Sequence, residues 1–265
     1  MEELRIEPCI HAGTADSDRK VALEDDTLLM GILTYLGELK IKMILFDLDG
    51  TLLPMDQDVF MKAYFGGLAK KLAPAGYTDK KQLIDAIWAG TAAMIANDGS
   101  RTNEERFWER FEAILGKRVR EDKYLLDDFY LNEFESVREV CGYDPKAAQT
   151  VAWLKDKGYR VSLATNPFFP HNATQSRLRW SGVAESDVEW LESYENSHYC
   201  KPNPAYFTEV TEILGVAPEE CLMVGNDAKE DMIAETLGMK VFLLTDCLIN
   251  KENKDLSHYP QGSFD

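Results

Sequence analysis

Two aspartates, Asp47 and Asp49, stand one residue apart in "MILFDLDGTL" (43–52), straight after four apolar residues. Carboxylates that close raise each other's pKa, and taking them out of water costs on the order of several kcal/mol. Such a pair calls for a cation, a proton-transfer task, or both. Residues that could meet either need follow downstream: Thr165 and Asn166 after "RVSLA", Lys201 in "YCKPNPAYF", and Asn226, Asp227 and Asp231 after "CLMV" and Gly225. A carboxylate at a strand tip, as at Asp47, can take a phosphoryl group as an acyl phosphate. Asp49 can give a proton to a leaving oxygen and then take one from water. Thr165 offers a hydroxyl and a backbone N–H to a phosphoryl oxygen. Lys201 offers positive charge to both the nucleophile and the transferring group. Asp227, with Asp47, presents the hard oxygens that Mg2+ prefers, and the metal would neutralise the crowded carboxylates.

The elements that must position these groups are legible in the pattern. "MILF" (43–46), "RVSLA" (160–164), "CLMV" (221–224) and "KVFLL" (240–244) are short apolar runs bounded by turn or polar residues, as buried parallel strands are. "DVEWL" (187–191) is a weaker fifth. Helical patterns lie between them. "DPKAAQTVAWLKDKG" (144–158) opens with an Asp cap and a first-turn Pro and closes on Gly158. "PNPAYFTEVTEILG" (202–215) and "AKEDMIAETLG" (228–238) also end on Gly. The alternation predicts the α/β class with a doubly wound parallel sheet. Ligands of such sheets bind beyond the carboxyl ends of the strands, so the candidate residues are expected to share one edge.

Residues 55–141 break the alternation with an almost wholly helical pattern. "TNEERFWERFEAILG" (102–116) carries a capping box, Thr102 with Glu105, and one apolar face, Phe107, Trp108, Phe111, Ile114 and Leu115. That stripe reads as the core of a helical unit, not as a substrate box. Arg101, in the loop before it, could reach the site or be an ordinary solvated arginine.

Net charge is −17, which gives no basic footprint for nucleic acid or an anionic membrane. Five cysteines with no CxxC and four histidines with no HxxxH argue against zinc and for a reduced, cytoplasmic protein. Residues 1–42 are polar and aperiodic over "HAGTADSDRKVALEDD", as loop or disorder would be. "TLLMGILTYLG" (27–37) could be a short helix but is too short to span a membrane. Met43 stands where a first strand would begin, so 1–42 is either a start-site artefact or a regulatory or docking extension.

"DLDGT", "LATN", "KPNPAYF" and "VGNDAKED" resemble motifs one to four of the haloacid dehalogenase-like hydrolase superfamily, in that family's order, across 47–231. The resemblance implies a Rossmann-like core over 43–54 and 142–265, with a mobile helical cap inserted after motif one, over 55–141. It places the chain in the phosphatase branch. Asp47 would be the nucleophile and Asp49 the general acid/base, with the Asp49 backbone carbonyl also on Mg2+. The implied activity is Mg2+-dependent hydrolysis of a small phosphorylated metabolite through an aspartyl phosphate. Thr165, Asn166 and Lys201 would hold the phosphoryl group. One departure stands at motif four, where many relatives have Gly-Asp and this chain has Gly-Asn-Asp. Asp227 is the preferred metal ligand, because a carboxylate binds Mg2+ more strongly than an amide, with Asp231 supporting it and Asn226 as alternative. A phosphomutase or phosphotransferase on the same scaffold, and a non-catalytic regulatory homologue, are the competing readings. Intact Asp47, Asp49 and Lys201 argue against the last.

Overall fold

The computed structural model describes residues 40–264, so most of the N-terminal extension, including 27–37, lies outside the described residues. In chain order the elements are β1 (Met43–Phe46), α1 (Gln57–Leu72), α2 (Lys80–Ile95), α3 (Asn103–Leu115), α4 (Arg118–Glu121), α5 (Lys123–Leu131), α6 (Pro145–Asp156), β2 (Arg160–Leu163), α7 (His171–Trp180), α8 (Pro204–Leu214), β3 (Cys221–Gly225), β4 (Lys240–Leu244) and β5 (Gln261–Gly262). The five strands form one parallel sheet in the order β2-β1-β3-β4-β5.

Helices cover both faces of the sheet, and β1 shows why. Ile44 and Phe46 pack on one face with Val151 and Leu154 of α6 and Leu178 of α7. Met43 and Leu45 pack on the other with Phe207 and Val210 of α8. A strand buried on both sides has no polar face, which is why "MILF" reads as an unbroken apolar run. The register pairs Phe46 with Leu163 and with Val224, so three strand ends are level. Asp47, Thr165 and Asn226 therefore leave the sheet at one edge.

The cap signals hold. Thr102 and Glu105 form the reciprocal capping box of α3. Asp144 accepts the Lys146 N–H at the start of α6, with Pro145 in the first turn. Between β1 and α6 the described chain is helical: α1 to α5 and a 3-10 stretch, Glu133–Val140. No helix among the described residues is long and apolar enough to cross a membrane.

Three expectations change. The segment 187–191 is not a strand. Only the Glu189 N–H reaches Val161 O (3.0 Å), and the Ser162 hydroxyl takes the Trp190 N–H (3.1 Å) in place of a ladder bond. The fifth strand is β5, whose two residues are too few for any period to register. Residues 228–238 form turns and a 3-10 helix, Met232–Leu237, instead of an α-helix. The buried Asp231 side chain faces the sheet edge there, and a tighter coil follows it.

Backbone hydrogen bonding to the neighbouring strands' ends also starts before Met43. Ile41 is buried, the Lys42 N–H donates to Glu220 O (2.9 Å), and Lys42 O accepts from the Arg160 N–H (3.0 Å). A chain beginning at Met43 is therefore expected to unfold at lower denaturant than one beginning at Lys40. The difference should be about 2–4 kcal/mol, from one buried Ile and two hydrogen bonds. Equal midpoints would show that residues 40–42 add nothing.

Candidate active site

The Asp47 N–H donates to Val224 O at 2.9 Å, so pairing with β3 runs one residue past the strand and sets the side chain's direction. Its Oδ1 accepts from Lys201 Nζ at 2.9 Å and its Oδ2 from Thr51 Oγ1 at 3.2 Å. Lys201 also donates to Asp231 Oδ1 at 2.6 Å, and Asp231 Oδ2 accepts the Asp227 N–H at 2.9 Å. Burial alone would lower the Lys201 pKa. The Asp231 and Asp47 carboxylates more than reverse this and hold the ammonium above its ordinary range. Burial pushes Asp231 up to about 7, against the pull of Lys201. Both Asp231 oxygens accept hydrogen bonds, the pattern of an ionised carboxylate.

Two glycines make these approaches possible. At Gly225 a Cβ would collide with the Asp231 carboxylate, and at Gly50 with the Asn226 amide. Gly50 also has φ +89°, a conformation that L side chains rarely adopt.

Asp49 has other surroundings. Its Oδ2 accepts from Arg177 Nη1, while its Oδ1 is buried with no hydrogen-bond partner. Arg177, on α7, is fully buried, bonds Ala173 O and Thr174 Oγ1 at 3.3 Å each, and lies over the Phe169 ring at 4.5 Å. Burial raises the Asp49 pKa above its ordinary value, Arg177 pulls it back, and Asp47 adds to the rise. The sequence reading missed Arg177. A signal existed, because Arg177 shares the buried face of α7 with Ala173, Thr174 and Leu178. A cation in an apolar stripe needs an anionic partner.

Asn166 holds the Lys201 backbone at both ends: its Nδ2 donates to Lys201 O (3.3 Å) and its Oδ1 accepts the Lys201 N–H (3.2 Å). Its Nδ2 also reaches Glu230 Oε2 at 2.8 Å. Thr165 is buried beside it, with its carbonyl accepting from Tyr206 OH at 2.9 Å. At motif four the two neighbours differ. Asn226 Oδ1 accepts from the Thr51 hydroxyl (3.1 Å) that also serves Asp47, whereas Asp227 Oδ1 accepts the N–H groups of Lys229 (2.7 Å) and Glu230 (2.9 Å).

A cavity of about 320 Å3 opens from this edge into the helical segment. Every candidate residue lines it except Lys201, which stands behind Asp47 and Asp231. The aromatic stripe of α3 is core, as expected, yet Phe107 and Trp108 also form cavity wall, which the stripe's spacing did not reveal. Arg101 does not line the cavity; it is exposed and pairs with Glu109 at 3.2 Å.

The family model for haloacid dehalogenase-like hydrolases matches residues 41–234. The chain belongs to this family. It is therefore an enzyme, a hydrolase. The chain is 27% identical over 208 residues to the phosphoglycolate phosphatase of Vibrio vulnificus (strain YJ016), covering 78% of this chain and 84% of that one. Phosphoglycolate phosphatase 1 of Pseudomonas aeruginosa is 26% identical over 213 residues, covering 77% and 69%. Among solved structures, a "predicted phosphoglycolate phosphatase" from Haemophilus somnus 129PT superposes with a TM-score of 0.52 at 21% identity, covering 86% of this chain and 96% of that one. That likeness is one of fold.

Proposed function

We propose that the chain is a Mg2+-dependent phosphomonoester hydrolase that works through Asp47. The observation that carries this reading is the buried Lys201 bridge to Asp47 and Asp231 beside a second aspartate held by its own arginine. Lys201 holds the Asp47 carboxylate in place at 2.9 Å, as an aimed nucleophile requires. An Asp47 oxygen attacks phosphorus and the ester P–O bond breaks, while Asp49 gives its proton to the departing oxygen. In the second half, Asp49 takes a proton from a water that attacks the same phosphorus, which frees phosphate and restores Asp47. Thr165, lining the cavity at the tip of β2, would meet a phosphoryl oxygen with its hydroxyl and N–H. Asn166 acts through its hold on the Lys201 backbone.

The donor set fits Mg2+. It is all oxygen: the Asp47 carboxylate, the Asp49 backbone carbonyl, and a side-chain oxygen of Asp227 or Asn226. Among the described residues no three His, Cys, Asp or Glu side chains form a cage of their own. Mg2+ is commonly bound by one or two carboxylates and keeps its waters. When bound, the metal supplies positive charge against the crowded oxygens of nucleophile and phosphate.

Phosphate release from a panel of phosphorylated metabolites, with Mg2+, tests the reading; no release from any member would refute it. Chelation is expected to abolish release, with Mg2+ but not Ca2+ restoring it, because Ca2+ takes more ligands at looser distances. Asn226→Ala should raise the Mg2+ concentration for half-activity more than Asp227→Ala does, because the Asn226 oxygen shares Thr51 with Asp47 while an Asp227 oxygen accepts two backbone N–H groups. The reverse order would assign the metal to Asp227, the ligand preferred on the affinity of a carboxylate over an amide.

A further inference from the structure

Away from the aspartates, the cavity wall changes character. Phe60, Tyr64 and Leu68 of α1, Ile87 of α2, and Phe107 and Trp108 of α3 are all buried and all face the same space. Among the described lining residues, those from α1, α2, α3 and α5 include no charged side chain. The acidic lining residues all stand at the sheet edge. The cationic one, Lys251, is exposed and follows Ile249, which pairs with Asp227 at that edge. Arg177 and Lys201, the buried cations nearby, are held by Asp49, Asp47 and Asp231.

The space of about 320 Å3 takes in both the sheet edge and this apolar wall, and an occupant that displaces water from the wall is favoured by about 25 cal/mol per Å2 of apolar surface covered. The space is continuous with Asp47, so the occupant is the body of the molecule whose phosphate meets that residue. A carboxylate in this wall would lose water and meet no cation, and a polyhydroxylated sugar would bring more polar groups than the wall can satisfy. The polar groups this wall does hold are neutral: Gln57 at the start of α1, Thr91 of α2, whose hydroxyl donates to Ile87 O (3.1 Å), Tyr194, and the pair Tyr64 and Tyr130. The hydroxyls of Tyr64 and Tyr130 are 2.6 Å apart. One proton serves their mutual bond, which leaves a second hydroxyl proton for a neutral acceptor on the ligand. Burial raises the Tyr64 pKa to about 12, so it stays a phenol at neutral pH.

Resting on the phosphatase reading, we propose that the substrates are phosphate monoesters of uncharged, apolar or aromatic alcohols, whose bodies carry few hydrogen-bonding groups and no charge. A ~150 Å3 apolar cavity holds one benzene ring, so this one has room for roughly one ring or a short alkyl chain beside the phosphoryl group. The small charged ester phosphoglycolate is then a poor substrate.

The test uses n-alkyl phosphates of increasing chain length and 2-phenylethyl phosphate, against phosphoglycolate and glucose 6-phosphate, on the full chain with Mg2+. kcat/KM is expected to rise by roughly fourfold per methylene until the cavity is full. Binding of n-alkylphosphonates, which release no phosphate, is followed in parallel through the fluorescence of the wall tryptophans and should tighten in the same progression. Trp88 of α2 lines the cavity and is 49% exposed, so Trp88→Ala should fold and make the chain-length dependence shallower. A flat alkyl series, or preference for phosphoglycolate or the sugar phosphate, overturns the proposal and leaves the phosphatase reading intact. Phosphonate binding that tightens with length, without phosphate release from any ester, overturns the phosphatase reading while the apolar site stands. Phosphonate binding indifferent to chain length overturns the proposal whatever the rates.

Discussion

Asp47→Asn is expected to lower phosphate release by roughly 10⁴-fold or more, on the scale seen when a covalent nucleophile is removed. The amide keeps the shape of the carboxylate but is too weak a nucleophile to take the phosphoryl group. The fold should survive, because Lys201 still has Asp231 at 2.6 Å. Replacing one of two carboxylates around one ammonium also removes a like-charge repulsion. An unchanged melting temperature with no phosphoenzyme trapped on acid quench is the expected pair of results. Turnover within about tenfold of the parent, a barrier change near 1.4 kcal/mol, would remove Asp47 from this role.

Arg177→Met is expected to have the second largest effect, in stability as well as rate. Removing one member of a buried ion pair costs about 3–5 kcal/mol, because the other charge stays behind without a partner. Asp49 would keep the burial that raises its pKa and lose the guanidinium that lowers it. An acid whose folded pKa lies above its unfolded value destabilises the fold where it is ionised. The variant's deficit should therefore be full at neutral and alkaline pH and shrink on acidification, as Asp49 becomes neutral. The acid limb of its kcat profile should move to higher pH, since water activation needs the ionised carboxylate. Arg177→Lys should restore part of both. Loss of stability with an unmoved pH profile would make Arg177 a packing residue and not a positioning one.

Much of this protein was legible from its residues alone, and the reason is locality. A strand buried on both faces must be apolar throughout, so β1, β2, β3 and β4 stand out as runs. Helix caps are contacts within three residues, so Thr102 with Glu105 and Asp144 with Pro145 mark their helices. The rule that ligands bind at strand ends then selects Asp47, Asp49, Thr165, Asn226 and Asp227 before any distance is known. Those elements and that edge were determined by the sequence.

What tertiary structure alone decided was which long-range partner each polar group has. Lys201 is 154 residues from Asp47, and Arg177 is 128 from Asp49. No periodicity links such pairs; they meet because parallel strands bring their carboxyl ends level and helices pack across them. The same cause separates Asn226 from Asp227. They are adjacent in the chain, yet Gly50 admits the Asn226 amide beside Thr51 and Asp47, while the Asp227 carboxylate turns to the N–H groups of Lys229 and Glu230. It also turns Phe107 and Trp108 from helix core into cavity wall, because a helical face buries itself without its spacing recording whether the opposite side is filled or empty.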